Sequence, residues 1–405
     1  MKIVILQNVR YRHPEGAMSQ YHGGVWAEEF RRRGHDATKM VVGDPAHVRP
    51  ISPLLSVSTM EQRRDPSFWG ALGADVVICY CGPDDESVGV VRAIKTGSPK
   101  TRVVARIEGN ISPRIHRIRN FIHSFPQRYV AARHCPTESF RYEKRNVFAA
   151  VARSFAATAR ELLCDKSRRF VALSEWSDAT TFFFDRLVDD AKAYFQAVGR
   201  SDLAVKILRS GYPVRSEFRP MAGGGKIAES VVSVANWRHC KDPDLTADAM
   251  IVVMRNVPNA TYTIIGQRSD RVASRILSAF PEAASRVRVH EHVDNWKIPE
   301  FIATAQVFLL CSYKEGVPSV LSEALCCGCS LALAPSPATG AFADYVSSGD
   351  GSISPSRDFR DVASTILAEF DLWRNGRRNV DDICNHWNHT RVSSLCDDLL
   401  GFLDA

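Results

Sequence analysis

QVFLLCSYKEGVPSVLSEALCCGCSLALAP, residues 306–335, reads as a buried strand (QVFLLCS), a short loop, a helix and a second buried strand (CSLALAP). Both strand runs are apolar without alternation, as in parallel strands covered on two faces. Pro318 and Ser319 suit a first helical turn, which Val320, Leu321, Glu323, Ala324 and Leu325 continue. Glu315 then stands just past a strand's carboxyl end, and Glu323 lies two turns into the helix. Backbone N–H groups of Gly316, Val317, Pro318's neighbour Ser319 and Val320 turn toward one point, a seat for phosphate oxygens. Carboxylates flanking such a seat can each accept hydroxyl hydrogen bonds from a vicinal diol. This chemistry fits a molecule with phosphate at its middle and a sugar at either end.

The same alternation extends outward. KIVILQ opens the chain as a buried strand, and a polar loop leads to Gly23 and Gly24 at the entrance of the amphipathic helix VWAEEFRRRGHD, stopped by Gly34. Further strand-like runs are ADVVICYC (74–81), TRVVARIEG (101–109) and RFVALSE (169–175). GYPVRSEFRPMAGGGK (211–226) breaks the pattern with two prolines and three consecutive glycines, the marks of a linker. After it ESVVSVANW, ATYTIIGQ and RVRVHEHV precede the opening stretch, again with helices between. The expected fold is α/β with two doubly wound domains: 1–210, a linker at 211–226, and 227–375. Residues 376–405 are expected to be a helical segment that crosses back to the first domain. Ligands of open parallel sheets sit beyond the carboxyl ends of strands, and two such sheets can present those ends to one cleft.

Composition agrees with a globular protein of more than one core: 405 residues, 45% hydrophobic and 24% charged. No apolar run approaches the roughly 20 residues that cross a bilayer, and the start does not resemble a secretory signal, so a cytoplasmic location is expected. The eleven cysteines fall mostly inside apolar runs, which predicts buried thiols; Cys326 and Cys329 have C-x-x-C spacing without a partner pair. Net charge is +7 and uneven, with eight bases against two acids in residues 114–145, interleaved with aromatic residues. That stretch is read either as a solvated helix face or as a surface for an anionic or lipid-linked acceptor at the inner face of a membrane. Nucleic acid is not expected, because no recognised binding motif accompanies the charge.

The stretch at 315–328 resembles the E-x7-E signature of retaining GT-B glycosyltransferases of family 4, written EG-x-P-x4-EA-x3-G. Glu315, Gly316, Pro318, Glu323, Ala324 and Gly328 match. GGVWAEEFRRRGHD, FVALSEW, ILRSGYPVRSEFRP and SVANWRHCKDPDLTADAM are similar to other parts of the family's two Rossmann-like domains. The resemblance implies a GT-B fold with a central cleft, and transfer of a hexose from a nucleotide-sugar donor, most simply a UDP- or GDP-sugar, to a hydroxyl of a saccharide, lipid-linked or small-molecule acceptor. Glu315 would contact the transferred sugar and Glu323 the ribose. Gly316, Val317, Pro318, Ser319, Val320 and Gly24 would hold the donor through backbone, and Lys241 would hold the diphosphate. The family often has an arginine where this chain has Asn236; Arg238 stands near enough to replace it. Many members carry a histidine after the strand RVVARI, where this chain continues Glu108, Gly109, Asn110. Glu108 and Asn110, with Arg12 and His13 of the first loop, are the acceptor candidates.

No cofactor and no metal are expected. Asp242 and Asp244 form a D-x-D, but they lie in a first helical turn, where acids are favoured for other reasons. A phosphorylase or epimerase of the same fold, or a non-catalytic GT-B-like binding protein, shares these features. A nicotinamide-dependent dehydrogenase is disfavoured, because no G-x-G-x-x-G follows the first strand.

Overall fold

The computed structural model describes residues 1–10, 23–45, 52–107, 166–223, 225–313, 315, 317–336 and 341–404. They divide into two compact units. One is drawn from the first half of the chain and takes back His389–Ala405; the other contains Ser216–Asn388.

The first unit is built on β1 (Lys2–Arg10), β2 (Asp36–Val42), β3 (Leu55–Ser58), β4 (Val76–Cys81), β5 (Arg102–Ile107), β6 (Ala179–Phe182) and β7 (Ile207–Arg209), in the order β3-β2-β1-β4-β5-β6-β7. Every ladder is parallel, for example Val4↔Thr38 to one side of β1 and Val4↔Val77 to the other. Ile3, Val4, Ile5 and Leu6 are all buried, yet alternate residues serve different layers. Val4 and Leu6 pack with Val77, Ile94 and Phe170, whereas Ile3 and Ile5 pack with Val25, Trp26 and Phe30. Two covered faces explain why the run is apolar without alternation.

The second unit repeats the plan with β8 (Ile227–Val234), β9 (Thr261–Ile265), β10 (Val287–His290), β11 (Ala305–Leu310), β12 (Ser330–Leu333) and β13 (Gly351–Ile353), in the order β10-β9-β8-β11-β12-β13. Winding reverses between β8 and β11, which pair directly through Val231↔Val307 and Val232↔Phe308.

RFVALSE is not a strand. Residues Lys166–Trp176 form a helix, and the strand follows at Ala179–Phe182. Phe170, Leu173, Ser174 and Ser177 are buried while Arg168 and Glu175 are exposed. Burial at i, i+3, i+4 and i+7 is one face of a helix; a strand would bury alternate residues.

The terminal segment divides later than expected. The helix Val380–Trp387 stays with the second unit. There a Cβ on Gly328 would stand 2.7 Å from Val380 Cγ1, and the Trp387 ring stacks on Tyr345 at 5.6 Å. The chain joins the first unit only from His389, not from residue 376. Val214 N–H donates to Thr390 O (3.0 Å) and Val392 N–H to Val214 O (2.9 Å). The helix Val392–Asp404 then buries Val392, Leu395, Cys396, Leu399 and Leu403 beside Val25, Trp26 and Phe30. Arg33 donates to Ser393 O (2.7 Å) and pairs with Asp397.

Arg63, from the helix Met60–Arg64, and Lys39, from β2, are among the cations buried in the first unit. Arg63 is fully enclosed and donates to Gln7 O (3.0 Å), Asn8 Oδ1 (2.9 Å), Met40 O (3.2 Å) and Ser58 Oγ (2.8 Å). Burial lowers its pKa to about 10, so it stays charged at neutral pH. Lys39 is pushed down to about 8, from 10.5, by the same loss of water.

Two outcomes are expected. Phe30→Ala should destabilise the first unit by about 3–5 kcal/mol, and amide exchange across Val392–Asp404 should accelerate, because the terminal helix loses the ring beneath it. For Lys39, the unfolded chain binds more protons than the folded one between pH 8 and 10.5, so stability rises with pH over that window. Lys39→Met should flatten the rise and, at pH 7, add stability on the order of 3 kcal/mol, read by urea unfolding.

Candidate functional site

The switch point between β8 and β11 releases two loops at the carboxyl edge of the sheet, residues 235–242 and 311–318. They are tied together by main chain: Tyr313 N–H donates to Cys240 O at 2.8 Å. Across this tie Lys241 Nζ donates to Glu315 Oε1. The pair is largely sheltered, with side-chain exposures of 23% and 11%. Of the residues singled out in the sequence, these two lie 74 positions apart and are in direct contact.

Asp242 explains how Lys241 is held. It takes a left-handed conformation (φ 48°), closes the short 3-10 turn His239–Lys241, and caps the helix Pro243–Asn256 by accepting from Leu245 N–H at 3.3 Å. Its Oδ2 also accepts from Arg357 at 2.7 Å. Arg357 donates further to Cys311 O (2.5 Å), Pro335 O (2.7 Å) and Ser312 O (3.3 Å), and lies 3.7 Å over the Tyr313 ring. One guanidinium thus joins the exits of β11 and β12 to the cap that ends the β8 loop. Burial raises the Tyr313 hydroxyl, with Asp242 adding to the shift.

Trp237 is a core residue: its Nε1 donates to Ile265 O at 3.1 Å and its N–H to Gln267 O at 3.0 Å. Asn236 Nδ2 donates to Gln267 Oε1 at 3.1 Å, so this amide links the exits of β8 and β9. Gly266 (φ 112°) is pressed against the same loop, since a Cβ there would stand 2.0 Å from Ala235 O. Arg238 is half-buried and opens the 3-10 turn that ends at Lys241.

The helix after Glu315 is Ser319–Cys326, begun by Pro318 (φ −75°, ψ 87°) with no side chain capping it. Val317, Ser319, Val320 and Glu323 are half-buried. The buried Tyr345 hydroxyl, beside Ser322, is pushed above its ordinary value mainly by burial, and the charges of Glu315 and Glu323 both add to the shift. One phenol therefore sits in the field of both carboxylates. Among the cysteines nearby, Cys311 is raised to about 12 by burial, and Cys329 is raised for the same reason.

Gly24 belongs to the first unit, in the helix Gly23–Arg32 that follows β1, and is buried. Its neighbour Gly23 makes the closer approach: a Cβ there would lie 2.8 Å from Ile5 Cγ2. Gly316, Arg12, His13, Glu108 and Asn110, with the basic stretch 114–145, lie outside the described residues. The D-x-D carboxylates are engaged by cations, Asp242 by Arg357 and Asp244 by Arg271 at 2.9 Å.

Arg357 and Gly266 were not legible as site residues. Arg357 stands 115 positions from Asp242 in a polar run without a motif, and Gly266 is one glycine after an ordinary strand.

Comparison with solved structures places the architecture in the GT-B class. UDP-bound HepE of Anabaena aligns with a TM-score of 0.58 at 11% identity over 100% of both chains. A glycosyltransferase of Rickettsia africae ESF-5 gives 0.57 at 9% identity over 100% of this chain and 98% of its own. The apo form of the lipopolysaccharide outer core galactosyltransferase WaaB gives 0.55 at 13%, over 100% and 99%. Within that fold, residues 224–368, which hold the Lys241–Glu315 pair, match the family model for glycosyl transferases group 1. No match is found among curated proteins.

Arg357→Lys keeps the charge beside Asp242 but loses the fork to three carbonyls. It is expected to destabilise the second unit by about 1–3 kcal/mol in urea unfolding, with faster amide exchange at Tyr313.

Proposed function

We propose that the chain is a glycosyltransferase that moves a hexosyl group from a nucleotide-sugar donor to an acceptor hydroxyl with retention of anomeric configuration. The observation that carries this reading is the Lys241–Glu315 contact at the β8/β11 switch point, inside the segment that matches glycosyl transferases group 1. A parallel sheet offers ligands its carboxyl edge at such a point.

In this reading Lys241, with Arg238 beside it, meets the diphosphate and stabilises its charge as the bond to the sugar breaks. Glu315 accepts hydrogen bonds from the sugar's hydroxyls and keeps Lys241 oriented before the donor arrives. N–H groups at the uncapped start of Ser319–Cys326 receive phosphate oxygens, and Glu323 accepts from the ribose. The bond between the anomeric carbon and the diphosphate oxygen breaks, the acceptor oxygen bonds to that carbon from the same face, and the acceptor proton passes to the departing diphosphate. The reaction then needs no protein nucleophile. From the first unit the backbone at Gly24 approaches the donor phosphate, Arg12, His13, Glu108 and Asn110 face the acceptor, and residues 114–145 meet an anionic or lipid-linked acceptor at a cytoplasmic membrane face. Because both D-x-D carboxylates are held by arginines, no metal is assigned to them. UDP is the first nucleotide to try, since HepE was crystallised with UDP and with UDP-glucose.

Asn236 favours a second reading, a binding protein of the same fold. At this position a neutral amide stands tied to Gln267, in place of a phosphate-binding cation.

Calorimetric titration with UDP, GDP and ADP separates the two. One nucleotide should bind at micromolar strength, and Lys241→Ala and Glu323→Ala should each weaken it by about tenfold or more. With the matching nucleotide sugar, the proton coupling constant of the product should report the donor's anomeric configuration. Binding without turnover in any acceptor series would favour the second reading, and no binding by any nucleotide would end the first.

A further inference from the structure

The first unit contains a pocket of about 180 Å³ between the sheet face at β4–β7 and the terminal helix. Its walls are apolar, formed by Ile78, Val104, Leu208, Leu395, Leu399 and Phe402. Polar side chains also line it: Arg106, Trp26 and Thr181, exposed by only 1%, 1% and 2%, and the half-buried Ser210. Arg106 Nε, Trp26 Nε1 and Thr181 Oγ1 have no hydrogen-bond partner.

Arg106 is the unusual member. A guanidinium is a cation with five donors and no acceptor, and a buried charge without a counter-ion is strongly unfavourable. Its Nη1 donates to Ser210 O (3.0 Å) and Ser210 Oγ (2.5 Å), and its Nη2 to Gly211 O. Aromatic rings surround it, Phe183 at 4.3 Å, Tyr80 at 5.2 Å and Trp26 at 5.7 Å. Among the described residues no carboxylate pairs with it. At the rim stand one exposed residue of each sign, Arg209, which is paired with Asp185 at 2.9 Å, and Asp398.

We propose that this pocket binds a small organic carboxylate whose apolar body is about the size of a benzene ring or a short acyl chain. The carboxylate accepts from Arg106 Nε, Trp26 Nε1 and Thr181 Oγ1, and the body lies against Leu208, Leu395 and Leu399. Size agrees, since apolar cavities of about 150 Å³ hold benzene. Water satisfies the site less well. A buried water needs two to four polar partners including acceptors for its own protons, and the unpartnered atoms here are two pure donors and one hydroxyl. An anion accepts from all three and supplies the counter-charge that Arg106 lacks. The site is independent of the transferase reading.

The test is calorimetry and thermal unfolding of the full chain with benzoate, benzamide and acetate as probes. Benzoate should release heat on binding and raise the unfolding midpoint in proportion to the logarithm of its concentration. Benzamide, which lacks the charge, and acetate, which lacks the body, should each bind at least about tenfold more weakly. Thr181→Val should weaken benzoate by a similar factor, and Leu399→Trp, which fills the pocket, should abolish the shift while circular dichroism shows the fold retained. Arg106 itself is left unchanged, because it also holds the Ser210 and Gly211 carbonyls. The proposal is overturned if benzoate gives no shift, if benzamide or acetate matches it, or if binding survives in Leu399→Trp. The comparison among probes on the native chain decides even where a variant fails to fold.

Discussion

Strands of a parallel sheet end in carbonyls with no ladder partner, and a buried carbonyl must find a donor. In this protein three arginines meet that demand. Arg63 collects Gln7 O, at the irregularity of β1 between Leu6 and Arg10, and Met40 O near the end of β2, with Ser58 of β3. Arg106 holds Ser210 O and Gly211 O beyond β7, and Arg357 takes Cys311 O, Ser312 O and Pro335 O beyond β11 and β12. A guanidinium suits the task because its five donors fan out in one plane and its faces can lie on aromatic rings. Each buried charge is tolerated only because several acceptors surround it, so each guanidinium ties several loop carbonyls to one point.

Those ties bear directly on the candidate site. Lys241 is placed by a turn of three residues whose last bond is closed by Asp242, and Asp242 is itself held by Arg357. Glu315 is placed by the loop whose Tyr313 donates to Cys240 and stacks beneath the same arginine. Lysine and carboxylate therefore meet without a search through rotamers, and the order needed to receive a charged ligand is already present before it binds.

Much of this could be read from the residues alone. Runs such as KIVILQ and QVFLLCS are apolar on both faces because both faces are covered, and the E-x7-E spacing places a carboxylate on either side of a helix start. RFVALSE misled because a short apolar run contains both periods; only the burial of Phe170, Leu173 and Ser177 together identifies it as helical. The three-residue strands Ile207–Arg209 and Gly351–Ile353 are too short to show any period, and they exist because a neighbouring strand supplies their hydrogen bonds. The return of the chain to the first unit was anticipated from its helical terminus, but its starting point depends on Val214, which pairs with Thr390 and Val392.

By itself the sequence determined the class of fold, the two-unit plan and the pair of acids around a glycine-proline turn, because these rest on local periodicity and on spacing within one strand-turn-helix unit. Tertiary structure alone decided which distant side chains touch. Lys241 reaches Glu315 only because β8 and β11 are neighbours, Arg357 reaches Asp242 only across the edge they share, and Arg106 is left facing a pocket only because the terminal helix closes over it. Such contacts are set by the order in which strands pair, and no window of sequence short enough to have a period contains that order.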